Sequence, residues 1–81
     1  MSETLLQLHI EELRVLARTN EPNRGGLIER NIEDYLKTAG TERLLLQRLR
    51  DAIEREDAEK HPGEDWSIAK DYVSSRLNWL A

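Results

Sequence analysis

Two histidines and several neighbouring carboxylates are the residues whose types could perform acid–base or metal chemistry. The chain has no cysteine, which excludes disulfides, thiolate zinc sites and a cysteine nucleophile. His9 lies among apolar residues at helical spacing, and His61 precedes Pro62 in a polar stretch. Neither belongs to a recognised metal-ligand motif, and the nearest pairing, His61 with Asp65, spans a Pro-Gly break, so helical spacing does not apply to it. No phosphate-binding or nucleophile-elbow motif occurs. The sequence therefore predicts a protein that is not an enzyme and that binds no metal or cofactor.

Acidic residues between positions 51 and 66 could recognise a basic partner. The 81-residue chain has a formal charge of −4, and this segment holds seven Asp and Glu side chains against two basic ones. Glu56, Asp57 and Glu59 lie near its centre. One interpretation is a solvated helix end. The other is a surface that binds a basic or nucleic-acid-handling protein and thereby regulates or inhibits it.

A DNA-binding function is the alternative that the basic residues raise. Arg43, Arg48 and Arg50 follow a short turn at Gly40, as the recognition helix follows the turn in helix-turn-helix proteins. Such proteins usually carry a net positive charge or a continuous basic stripe, whereas acidic residues are interspersed here. Nucleic acid is therefore predicted as a partner only in second place, behind another protein.

Four helical segments, separated by three breaks that contain Pro or Gly, must position these residues. The leucine-rich, valine-poor composition favours helices over strands. The predicted helices run from Ser2 or Thr4 to Thr19, from Leu27 to Ala39, from Glu42 to Glu59, and from Asp65 or Trp66 to Leu80. We expect Thr41 and Asp65 to cap the third and fourth helices and Gly40 to end the second. Residues 54–60 are expected to project beyond the core or to fray.

Each predicted helix has one apolar face when residues are placed at 100° intervals. The faces comprise Leu5, Leu6, His9, Ile10, Leu13, Leu16 and Ala17; Leu27, Ile28, Ile32, Tyr35 and Leu36; Leu45, Leu46, Leu49, Ala52 and Ile53; and Trp66, Ala69, Val73, Leu77 and Leu80. Leu8, Val15 and Leu44 fall outside them. Asn31 lies within the second face, where it could bond a loop carbonyl, a water or its mate across a symmetric dimer.

A second stripe on the fourth helix contains Ile68, Tyr72 and Trp79. A terminal helix in so small a domain seldom buries two faces within its own chain. The stripe is therefore either packed internally or an interface with a second copy or a partner, where Tyr and Trp are favoured. Because single cores below about 80 residues are marginally stable, oligomerisation is a common remedy. The sequence thus predicts a homodimer.

These observations predict one all-α domain over residues 1–81, a compact bundle or orthogonal array of four short helices. The predicted function is a small non-enzymatic interaction module that regulates or inhibits a partner protein, through the aromatic stripe, the acidic segment or both. The alternative is a helix-turn-helix-like DNA-binding regulator that uses the third helix. No apolar run approaches the ~18 residues of a membrane span. We therefore expect no membrane partner and a cytoplasmic location.

Overall fold

Four α-helices follow one another in a computed structural model that describes residues 3–38 and 41–80. They are α1 (Glu3–Arg18), α2 (Arg24–Leu36), α3 (Glu42–Ala58) and α4 (Ser67–Leu80). The most extensive contacts join α1 to α2 and α3 to α4, and α2 also contacts α4. The described residues contain no strand. The predicted all-α class and compact arrangement of four helices are therefore confirmed.

The core consists of the faces that helical periodicity predicts. The buried hydrophobic side chains are Ile10, Leu13, Ala17, Ile28, Ile32, Tyr35, Leu45, Leu46, Leu49, Ile53, Trp66, Ala69 and Val73. Partly buried side chains from the same faces surround them: Leu5, Leu6, Leu16, Leu36, Ala52, Leu77 and Leu80. Burying a large aliphatic side chain stabilises a fold by about 1.5–3 kcal/mol, so this one cluster accounts for the association of the helices.

The start of α2 differs from the prediction, because the helix begins at Arg24 and not at Leu27. The backbone N–H of Leu27 already donates to the carbonyl of Asn23 at 3.1 Å. Gly25 and Gly26 thus occupy the first turn, where backbone N–H groups have no helical partner to lose and glycine is tolerated. The helix also ends earlier than predicted, at Leu36 with Lys37 as its C-cap and not at Ala39, whereas the predicted turn at Gly40 lies outside the described residues.

The two predicted caps behave differently. Thr41 precedes α3, and its carbonyl accepts a hydrogen bond from the N–H of Leu45 at 2.9 Å, but its hydroxyl makes no capping bond. Asp65 lies one residue before the N-cap position of α4, since the carbonyl of Trp66 accepts the first helical hydrogen bond, from the N–H of Lys70 at 3.0 Å. Its carboxylate still accepts from the backbone N–H of Ser67 at 3.0 Å and from the Ser67 hydroxyl at 2.7 Å. These two bonds hold the pKa of Asp65 below its ordinary value.

The loop between α3 and α4 is fixed against the end of α1. The carboxylate of Glu64, whose side chain is 1% exposed, accepts hydrogen bonds from Nε of Arg18 at 2.9 Å and from the Trp66 indole N–H at 3.2 Å. The backbone N–H of Asp65 donates to the carbonyl of Ala17 at 2.9 Å. This attachment places the Trp66 ring in the core at the start of α4.

Asn31, the polar residue within the apolar face of α2, bonds to α1 of its own chain. Its amide donates to a Glu12 carboxylate oxygen at 2.5 Å, which leaves the amide oxygen, 3.3 Å from Nδ1 of His9, as the acceptor. The His9 ring in turn contacts the edge of Tyr35, with centroids 5.2 Å apart. Asn31 therefore joins α2 to α1 and satisfies its hydrogen bonds without a second copy.

Replacing Asn31 by alanine is expected to lower the free energy of unfolding by about 1–3 kcal/mol, because the α1–α2 hydrogen bonds are lost. Urea unfolding followed by far-UV circular dichroism measures the change. Asn78→Ala is the matched control, since Asn78 is exposed on α4 and its loss should cost no more than about 0.5 kcal/mol. Equal losses in the two variants would contradict a structural role for Asn31.

Candidate functional site

The outer face of α4 carries an exposed aromatic side chain beside an open depression. Trp79 is 81% exposed, the highest exposure among the large hydrophobic side chains that the structure describes. The depression is shallow, has a volume of about 480 Å³, and is lined by Tyr72, Ser75, Arg76 and Trp79. An indole ring in water leaves a large rigid apolar area unburied, and Trp residues in such positions are enriched at binding hot spots.

Arg76 fixes the floor of this depression by joining three helices. Its guanidinium donates to Glu33 on α2, to Glu42 on α3 and, at 3.2 Å, to the hydroxyl of Tyr72. The Tyr72 hydroxyl itself donates to Glu33. The guanidinium carbon lies 6.0 Å from the centroid of the Tyr72 ring, within range of a cation–π contact.

The electrostatics of this network favour the charged arginine and the neutral phenol. The Glu42 carboxylate raises the pKa of Arg76 above its ordinary value, and the Tyr72 hydroxyl and Glu33 act in the same direction. Burial, followed by the hydrogen bond to Glu33, raises the pKa of Tyr72. The guanidinium and the phenol are therefore held in place by charge-assisted hydrogen bonds beside Trp79.

The predicted aromatic stripe is divided by the structure. Ile68 and Tyr72 are partly buried and pack against the core, whereas Trp79 is exposed. Tyr72 and Trp79 both line the depression. Sequence reasoning missed Arg76. Its position was available as a signal, because Arg76 lies four residues after Tyr72 and three before Trp79, which places all three on adjacent turns of one helix face.

The acidic end of α3 is largely neutralised within the chain. Glu56 pairs with Arg14 at 2.7 Å, which raises the pKa of Arg14. Asp57 pairs with Lys70 at 3.0 Å and with Lys60 at 3.3 Å, and the hydrogen bond from Lys70 holds the pKa of Asp57 below its ordinary value.

Of the three predicted carboxylates, only Glu59 is exposed without an ion pair to another described residue. The expectation that residues 54–60 project beyond the core or fray is wrong for Glu56 and Asp57, because both are half-buried within the helical part of α3, which continues to Ala58. Ion pairs to α1 and α4 hold this end of the helix against the bundle.

Both histidines make contacts within the fold. His9 bonds to Asn31, as described above, and Nδ1 of the exposed His61 lies 3.7 Å from a carboxylate oxygen of Glu64. Among residues 3–38 and 41–80, no group of three or more His, Cys, Asp or Glu side chains is arranged to hold a metal ion.

A second apolar area lies along α1. Leu8 and Val15, which fall outside the predicted core faces, are 59% and 62% exposed. Val15 borders a depression of about 320 Å³ between α1 and α2, whose lining includes Leu16, Leu27 and the charged side chains of α2. Leu44, on α3, is also exposed, as its position outside the core face predicts.

Among the four described helices, α3 has the largest number of exposed arginines. Arg43, Arg48, Arg50 and Arg55 are all exposed. Nη2 of Arg43 donates to the carbonyl of Leu80 at 3.1 Å, and Arg50 contacts only its sequence neighbour Asp51, at 3.4 Å. In the described part of the chain no ion pair involves Arg48 or Arg55.

The fold and its surfaces define a small all-α bundle with an exposed aromatic site on its last helix. No protein-family model, curated protein or solved structure matches the chain. None of the four described helices combines the length and the hydrophobicity that crossing a bilayer requires.

Proposed function

We propose that the protein is a small non-enzymatic interaction module that binds protein through the α4 surface around Trp79 and that works as a homodimer. The observation that carries the proposal is the 81% exposure of Trp79 beside the depression lined by Tyr72, Ser75 and Arg76. When the α4 surfaces pair in the dimer, the cytoplasmic partner is bound by a groove that the dimer creates or by the acidic end of α3, and is thereby regulated or inhibited.

A second copy of the chain is the occupant that fits this surface. Trp79 supplies an exposed indole. The adjacent Tyr72 ring and Arg76 guanidinium are groups against which an indole can stack. A two-fold dimer requires a patch that is complementary to itself. With the projecting group and its receptor side by side, one interface would bury both tryptophans.

The acidic end of α3 supports a partner site less strongly than the aromatic surface does. Two of its predicted carboxylates, Glu56 and Asp57, are already paired with Arg14 and Lys70. A basic partner would have to displace these internal cations, so only Glu59 is available for recognition without breaking contacts.

Light scattering over a hundredfold range of concentration tests the proposal. We expect the wild-type mass to approach twice 9.5 kDa at the upper end. Trp79→Ala should remain a monomer, because truncating a hot-spot tryptophan costs about 2–4 kcal/mol of binding, roughly a 30- to 1,000-fold rise in the dissociation constant. Circular dichroism spectra should coincide, since the side chain is outside the core.

Leu8→Ala is the matched control, because Leu8 is a large exposed hydrophobic residue on α1, outside the proposed interface. It should dimerise as the wild type does. A wild type that is monomeric throughout, or a dimer that Leu8→Ala dissociates and Trp79→Ala does not, would contradict self-association through α4.

A further inference from the structure

The exposed side of α3 arranges its four arginines in two rows. At about 100° per residue, Arg43 and Arg50 fall on one edge of the exposed face, and Arg48 and Arg55 fall on the other, roughly 140° away. Between the rows lie Leu44, Gln47, Asp51 and Glu54, all of which are exposed. The rows extend over 13 residues, which is about 18 Å of helix.

The remaining acidic residues of α3 face the bundle and not this surface. Glu42 bonds to Arg76, Glu56 to Arg14 and Asp57 to Lys70, all on neighbouring helices. The exposed face between residues 43 and 55 therefore carries four arginines against two carboxylates, although the whole chain is acidic. At physiological ionic strength charges further away than about 8 Å are screened, so the local excess governs what approaches α3.

We propose that α3 binds in the major groove of duplex DNA. An α-helix with its side chains is about 10–12 Å across and fits the major groove, which is about 12 Å wide. In that position the two arginine rows face the phosphates on opposite walls of the groove. The residues between the rows, including Gln47 and Asp51, face the base edges, where amide and carboxylate groups pair with adenine and cytosine.

The phosphate contacts determine most of the affinity in such a complex, and they make it depend on salt. Arg48 and Arg55 are free of ion pairs in the described chain, so they can bind phosphate without breaking an internal contact. Arg50 has only the exposed contact with Asp51. This surface belongs to α3 and the proposed protein-binding surface to α4, so this proposal does not rest on the proposed protein-binding function.

Fluorescence anisotropy with a mixed-sequence DNA duplex of about 20 base pairs, starting at about 50 mM salt, tests the proposal. We expect binding that weakens steeply as salt is added. The double variant Arg48→Gln/Arg55→Gln should bind at least about tenfold more weakly, and the slope of log affinity against log salt should fall by about 1.8. Arg43→Gln/Arg50→Gln should reduce the slope by the same amount.

The matched control is Arg30→Gln/Lys37→Gln, which removes two exposed positive charges, one from α2 and one from its C-cap residue, and should leave the salt slope unchanged. Duplex RNA should bind more weakly than DNA, because its deep, narrow major groove does not admit a helix. Three results would each overturn docking of α3 in the groove. They are the absence of DNA binding at low salt, an equal loss of affinity in the control variant, and an affinity for duplex RNA or single-stranded DNA that equals the affinity for duplex DNA.

Discussion

Trp66→Ala is expected to lower the free energy of unfolding by about 3–5 kcal/mol, the range observed for removal of a buried Trp or Phe ring. Trp66 is 1% exposed and is among the largest fully buried side chains of the core. A domain of 81 residues has a total stability of about 4–12 kcal/mol. The variant should therefore lose at least about a quarter of the total stability, and at the low end of this range it should be unfolded at room temperature.

The size of this effect has two physical sources. The first is the cavity left at the start of α4, which the surrounding Leu and Ile side chains can fill only in part. The second is the Glu64 carboxylate, which loses the indole N–H that donates to it at 3.2 Å and stays buried with one donor fewer. Trp66→Phe separates these two contributions to the loss of stability, because it retains much of the aromatic ring volume but removes the indole N–H donor.

The second tryptophan provides a control of identical chemistry. Trp79→Ala, measured at concentrations where the chain is monomeric, should change the free energy of unfolding by no more than about 0.5 kcal/mol. Urea unfolding followed by far-UV circular dichroism compares the two variants without relying on tryptophan emission. Similar losses at both positions would contradict the assignment of one ring to the core and the other to the surface.

Acid is expected to destabilise the domain partly through Glu64. Burial alone raises the pKa of this carboxyl, but hydrogen bonds from Trp66 and Arg18 and from the backbone of His61 outweigh it, so the pKa lies below its ordinary value of 4.5. A carboxylate with a lowered pKa in the folded state contributes stability above about pH 4.5. That contribution is lost as the pH falls through the folded-state pKa.

Glu64→Gln tests this coupling. We expect the variant to be less stable than the wild type at pH 7 and to lose less stability on acidification, so that the two curves of unfolding free energy converge below pH 4.5. The pKa values of Asp57 and Asp65 are also lowered. The stability of both proteins should therefore still fall to some extent as the pH is lowered.

Glu59→Gln is the matched control for acid sensitivity, because this exposed glutamate makes no ion pair with the described residues. Its curve should follow that of the wild type at every pH. Parallel curves for Glu64→Gln and the wild type would show that the buried carboxylate does not contribute to the acid response.

Helical periodicity was sufficient to predict the helices and the core, because each apolar face is regular and a buried face is read directly from spacing. Ile28, Leu46 and Val73 are examples of predicted core residues that are buried. The start of α2 was missed because glycine is penalised by propensity in the middle of a helix but tolerated in the first turn. Local rules therefore determine most of the fold.

The candidate site was less predictable, since it depends on contacts between helices. Spacing on α4 placed Tyr72 and Trp79 on one face but could not show that Tyr72 is held by Glu33 while Trp79 remains exposed. Counting charges along the chain indicated an acidic patch at Glu56 and Asp57. Only the packing of α1 and α4 against α3 reveals that Arg14 and Lys70 neutralise it.

The attachment of the α3–α4 loop to α1 has a consequence for the order in which the chain folds. Arg18 and Glu64, which join there, are separated by 46 positions, so closing this contact from an extended chain is entropically costly. The α1–α2 and α3–α4 helix pairs are local and can form first, and each then shortens the flexible path that remains. We therefore expect the loop to dock on α1 late in folding, after the two helix pairs have formed, and burial of the Trp66 ring to report this step.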